Sequence, residues 1–229
     1  MHGIPIDYNA EFYAKAVAAS TGDGVGAGTE LGLFRDYYDA QYEMLQALKP
    51  KVVGHFDLIR LYASERNAKI FCGASEKAER NLKLIVEQGG LLEINSAGLR
   101  KGLDEPYPGR ILALLFKSLG GRFTLSDDSH GIEQVGTNYG RVVKYLEYLD
   151  VKEVWTFEKK DGELVPVSVP VEDIKATFRE IPAEDIKPQN EDPTPPPLTS
   201  PDQLERTPSA KSLGKRPAPP DESPEPEPR

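Results

Sequence analysis

The sequence predicts an α/β fold in which a parallel sheet is covered by helices. Two observations carry this. Amphipathic helical stretches alternate with short apolar runs, and two of the helices stop at glycine pairs, Gly89-Gly90 and Gly120-Gly121, that supply the left-handed turn closing a helix. A third feature concerns position: polar residues of ligand type follow the apolar runs, where a parallel sheet gathers its strand ends.

Ala10 to Ala19 is predicted helical, with Phe12, Ala16 and Ala19 at helical spacing. Thr21-Gly22-Asp23-Gly24-Val25-Gly26-Ala27-Gly28 reads as a flexible surface loop, because no strand precedes it and no Lys-Ser/Thr pair follows as a phosphate cradle requires. From Glu30 to Leu48, Leu31, Phe34, Tyr38, Tyr42, Leu45 and Leu48 repeat every three or four residues, and Pro50 follows the end of that helix. Lys51 to Gly54 is a short strand ending at His55. Ser75 to Gln88 reads as a helix capped by Ser75, with Leu82, Ile85 and Val86 facing inward. Leu91 to Asn95 is a strand, Arg110 to Leu119 a helix, Arg122 to Leu125 a strand and Tyr139 to Leu149 a helix. Val154 to Phe157 is β-branched and aromatic, Lys160-Asp161-Gly162 signals a turn, and Leu164 to Val169 completes a hairpin, followed by a short helix from Val171 to Phe178.

Composition limits the function. Thirteen of the 20 prolines lie from Pro188 onward, in a stretch with almost no aromatic or branched apolar residues. Such a segment cannot bury enough apolar surface to offset its conformational entropy, so residues 1–185 are expected to fold and 186–229 to form a disordered Pro/Glu-rich tail. A net charge of −9 argues against nucleic acid as a partner, although a few placed cations suffice for a small anionic substrate. The single cysteine, Cys72, excludes an intrachain disulfide and a Cys-rich zinc site. With no apolar stretch of about 18 residues and no secretory leader, the expected location is the cytoplasm and no membrane partner is expected.

The chain has three histidines, and two of them follow predicted strands: His55, and His130 in Ser126-Asp127-Asp128-Ser129-His130. An Asp-x-His pair sets a carboxylate oxygen and an imidazole nitrogen close together, as divalent metals favour. His55, Asp128 and His130 are therefore the candidate metal ligands, and Asn95 emerges at a third strand end. Glu93 and Asp57 could orient a ligand histidine, or could cap a helix or pair with an arginine. Arg60 and Arg100 stand near the same ends, and arginine suits bidentate contact with a phosphate.

Gly54-His55-Phe56-Asp57-Leu58-Ile59-Arg60, Leu92-Glu93-Ile94-Asn95-Ser96-Ala97-Gly98-Leu99-Arg100-Lys101-Gly102 and Thr124-Leu125-Ser126-Asp127-Asp128-Ser129-His130 resemble, in this order, the histidinol-phosphatases of the polymerase-and-histidinol-phosphatase (PHP) family. The run from Gly131 to Tyr139 is similar to the fungal form, and the likeness extends from about His2 to Phe157. The resemblance implies a distorted (β/α)7 TIM-like barrel with up to three divalent ions, zinc, manganese or iron, at its C-terminal face. It implies hydrolysis of L-histidinol phosphate to L-histidinol and phosphate, in histidine biosynthesis. By motif, His55, Asp128 and His130 would hold metal and Arg60 and Arg100 the substrate phosphate. Met1-His2-Gly3-Ile4-Pro5-Ile6-Asp7 resembles the end of a His-rich element well inside the family, with His2 at its last histidine. The family's initial His-x-His strand has no counterpart here. The expectation is a partial barrel lacking its first strands, with ligands for one metal rather than a full cluster. Two readings follow: a phosphatase, for which a homodimer covering the open sheet edges is compatible, or a catalytically impaired remnant that acts only by binding.

Overall fold

A computed structural model of the chain describes residues 2–63 and 68–179. The proline-rich tail expected over 186–229 lies outside the described residues. Helix α1 spans Ala10–Ala19; Asn9 caps it by accepting the Phe12 N–H at 2.9 Å, and Tyr13 and Ala16 are buried. Helix α2 spans Glu30–Leu48, as its periodicity predicts. Leu33, Phe34, Tyr38 and Leu45 are its buried apolar residues, whereas Leu48 is exposed because the chain leaves the helix there through Lys49 in the left-handed conformation, φ 45°.

The glycine-rich stretch between α1 and α2 is fastened rather than free. Asp36 on α2 accepts the Thr21 N–H at 2.7 Å, the Thr21 hydroxyl at 2.9 Å and the Gly22 N–H at 2.8 Å. His2 Nε2 lies 2.8 Å from the same carboxylate. Burial would raise the Asp36 pKa, but these hydrogen bonds, first that of the Thr21 N–H and then that of His2, bring it below the usual carboxylate range.

Helix α3 runs Ala68–Glu87, so Ser75 sits within it and is not its cap. Gly73 does not break the helix. It admits α2: a Cβ there would lie 2.5 Å from Leu31 Cδ1, closer than two carbons can approach. Deeper in the same interface, the buried Asn81 amide donates to Tyr38 O at 2.7 Å and Gln41 Oε1 at 3.0 Å, and Gln41 donates to Phe56 O at 3.1 Å.

The strands β1 (Val52–Val53), β2 (Leu91–Asn95) and β3 (Arg122–Ser126) form a parallel sheet in the order β1-β2-β3. Val52 pairs with Leu91, and Leu91 through Asn95 pair with Arg122 through Ser126. All five residues of β2 are buried, Glu93 and Asn95 among them, as in a parallel strand covered on both faces. Short helix α4 (Ala97–Arg100) leaves β2, α5 (Arg110–Ser118) precedes β3, and α6 (Tyr139–Tyr148) follows it. Phe116 of α5 packs edge-on against Phe123 of β3, centroids 5.3 Å apart.

Strands β4 (Glu153–Lys160) and β5 (Glu163–Pro170) pair antiparallel around a two-residue turn in which Asp161 and Gly162 both have positive φ. Arg122 stacks over Trp155 at 4.7 Å and Lys51 over Phe157 at 5.7 Å. Since Lys51 and Arg122 stand at the entrances to β1 and β3, the hairpin serves the N-terminal side of the sheet and leaves the opposite side to polar groups. Helix α7 (Val171–Arg179) returns to α6, with Phe178 against the Tyr139 ring at 5.0 Å. No helix among the described residues is long and apolar enough to cross a membrane.

Candidate functional site

The C-terminal ends of β1, β2 and β3 bring His55, Glu93, Asn95 and Asp128 into one neighbourhood. His55 follows β1 with φ 50° and Asp128 follows β3 with φ 52°. Left-handed backbone is uncommon outside glycine and is kept where surrounding contacts over-determine it. At His55 these contacts are on both sides of the residue. Its N–H donates to Glu93 Oε2 at 3.0 Å, and its carbonyl accepts the Tyr37 hydroxyl at 2.8 Å. The Asn95 amide holds the same Glu93 oxygen at 3.1 Å and its Oδ1 accepts the Ala97 N–H at 2.8 Å. Asn95 is thus wholly buried scaffold rather than a group facing the mouth of the site.

His55 Nε2 stands 3.4 Å from Asp128 Oδ2, and His55 Nδ1 stands 3.7 Å from Glu93 Oε2. Two ligands bound at about 2.0–2.1 Å to one tetrahedral ion stand about 3.3 Å apart, so the His55–Asp128 spacing fits a shared cation. Glu93 stands behind the ring beyond hydrogen-bond reach of Nδ1 and holds His55 by its backbone N–H instead. The Tyr107 ring packs against His55 with centroids 5.9 Å apart, and its backbone pairs with Asn95 on both sides. Tyr107 carries no sequence signal beyond the Tyr107-Pro108-Gly109 turn that precedes α5.

His130 is not drawn into the same point. Its ring is exposed, and Nδ1 lies 2.8 Å from the Asp128 carbonyl oxygen. A carbonyl only accepts, so Nδ1 is the donor in this contact and Nε2 is the ring nitrogen it does not engage. Among the described residues no three His, Cys, Asp or Glu side chains converge tightly enough to hold an ion by themselves. His55 and Asp128 thus have the spacing of two ligands of one ion without completing its shell.

The two arginines part company. Arg100 is half-buried at the rim and donates to Asp128 O at 3.0 Å, beside the carboxylate. Arg60, expected at the phosphate, turns inward instead. It pairs with Asp57 at 2.8 Å, donates to Glu105 O at 3.2 Å and to Pro106 O, and lies over the Tyr107 ring. The cause is Asp57: burial pushes this carboxyl up, and Arg60 and the Gly109 N–H at 2.8 Å hold it against that penalty. Arg60 so braces the loop carrying Tyr107, while Arg100 stays at the rim.

Asp127, next to the candidate ligand, has its own partners. Oδ1 accepts the Ser129 N–H at 3.1 Å and the Ser129 hydroxyl at 2.5 Å, and Oδ2 accepts the Gly136 N–H at 2.5 Å. Burial opposes its ionisation, and the Ser129 and Gly136 hydrogen bonds outweigh burial, holding the pKa below the usual range. Nearby Tyr139 is pushed up to about 12 by burial and by the charges of Asp127 and Glu93.

No family model matches the chain. It is 39% identical over 183 residues to a protein of Schizosaccharomyces pombe named probable histidinol-phosphatase; this covers 78% of the chain and 58% of that relative. It is 38% identical over 169 residues to the histidinol-phosphatase of Saccharomyces cerevisiae, covering 64% of the chain and 49% of the relative. A probable histidinol-phosphatase of Clostridium acetobutylicum is 31% identical over 112 residues. The chain spans about half the length of the fungal relatives it matches.

Proposed function

We propose that this chain, similar to histidinol-phosphatases over 78% and 64% of its length, carries the metal-dependent hydrolysis of L-histidinol phosphate to L-histidinol and phosphate, a step of histidine biosynthesis. The observation that supports it most is the 3.4 Å approach of His55 Nε2 and Asp128 Oδ2 at the C-terminal ends of parallel strands. On this reading the three parallel strands are an arc of a distorted (β/α)7 barrel. His55 and Asp128 hold a divalent zinc, manganese or iron ion, and His130 contributes Nε2. When bound, such an ion supplies the Lewis acidity that lets water attack phosphorus at neutral pH. The chain's own residues do the rest. Arg100 pairs with the phosphate oxygens from the rim, Glu93 keeps the His55 ring aimed, and Tyr107 covers the ring's face against water.

The test is metal analysis of the purified chain together with phosphate release from L-histidinol phosphate. Stoichiometric metal, lost in His55→Ala and in Asp128→Ala, with turnover lost in parallel, is the expected result. A second reading is favoured by the absence of a three-ligand cluster among the described residues: a chain that binds without catalysing. Retained metal with no phosphate release would select it. No metal at all would remove the hydrolase.

A further inference from the structure

We propose that Asp127 is a positioning residue: it clasps the loop after β3 so that Asp128 and His130 present their ligand atoms to the site. This rests on the reading of those two residues as metal ligands. The Asp127 carboxylate reaches across nine residues of chain. One oxygen takes both donors of Ser129, and the other takes the Gly136 N–H. The loop between them holds Asp128 in the left-handed region, where its carbonyl can meet Arg100 Nη2 at 3.0 Å and His130 Nδ1 at 2.8 Å while its carboxylate faces His55. Besides the Arg100 bond to the Asp128 carbonyl, the loop has ties further along. The His130 N–H donates to Gln134 Oε1 at 3.0 Å, and Ser96 Oγ donates to Thr137 O at 2.8 Å. Neither reaches Asp128 or Ser129. The tip between the ties, Ile132 and Val135, is 93% and 69% exposed and gains no hold from the core. Asp127 thus links the two feet of the loop, and it does so through two acceptor oxygens.

Asparagine supplies one acceptor and places an NH2 against a donor in the other position. In Asp127→Asn of the full chain, zinc affinity by titration calorimetry should fall about tenfold or more, the range for groups that orient ligands. Histidine 15N spectra of the metal-free protein should show His130 losing its Nδ1-protonated form, a signature that general loss of stability would not produce. Ser129→Ala, which removes a single donor, should move both readouts the same way by less, and it guards against a variant that does not fold. Unchanged zinc isotherms and an unchanged His130 tautomer in both variants would overturn the inference. If the parent chain binds no zinc but the tautomer shifts, the clasp stands and the hydrolase reading falls.

Discussion

Gly54 is where a single atom would disturb the site. A Cβ built there would lie 2.9 Å from Glu93 Oε2, the oxygen that receives the His55 N–H. Gly54→Ala should therefore displace Glu93, destabilise the protein by about 1–3 kcal/mol in urea unfolding, and weaken metal binding along with it. Loss of stability with an unaltered metal isotherm would mean that Glu93 does not orient the ring. His55 and Asp128 were legible in the sequence because an apolar run followed by a ligand-type residue fixes where that residue emerges. The fate of Arg60 was not. Five residues after His55 is a spacing that serves the rim or the interior equally, and the choice is made by Asp57, whose burial demands a cation. Asp127 lacks the x-His spacing, and its bond to the Gly136 N–H is one that no local pattern announces.

Among the elements, period was the reliable signal and capping the unreliable one. Helices α1 and α2 begin and end where their apolar spacing puts them, and the hairpin follows from a β-branched run, Asp161-Gly162 and a second run. Helix α3 starts upstream of Ser75 because a serine is as compatible with a helix interior as with a cap, and Gly73 inside the continuous helix gives room to Leu31. Lys49 gives the element-scale prediction. It ends α2 in the left-handed region, φ 45°, while its N–H still bonds to Leu45 O at 3.1 Å. Lys49→Gly keeps that bond and removes the clash of Cβ, so it should stabilise the protein by about 1 kcal/mol in thermal or urea unfolding. A loss of stability would show that the cap is not strained.

At the scale of the molecule, Asp36 joins three segments: the stretch at His2, the loop at Thr21 and Gly22, and α2 itself. Its pKa is lowered in the fold, so the unfolded chain takes up its proton first as pH falls. The stability it confers is complete above the ordinary aspartate range near pH 3.9 and vanishes as pH drops through the folded value. The gap in unfolding free energy between the parent and Asp36→Asn should accordingly be widest near neutrality and close on acidification. A gap that stays constant with pH would remove Asp36 as the joint. The strand order β1-β2-β3 has a consequence for how the protein is made. Each new strand docks beside the one synthesised just before it, so as the chain leaves the ribosome no partner has to be awaited from downstream. The buried middle strand then becomes the template on which the third is laid, and both halves of the His55–Asp128 pair are delivered to the same end in turn.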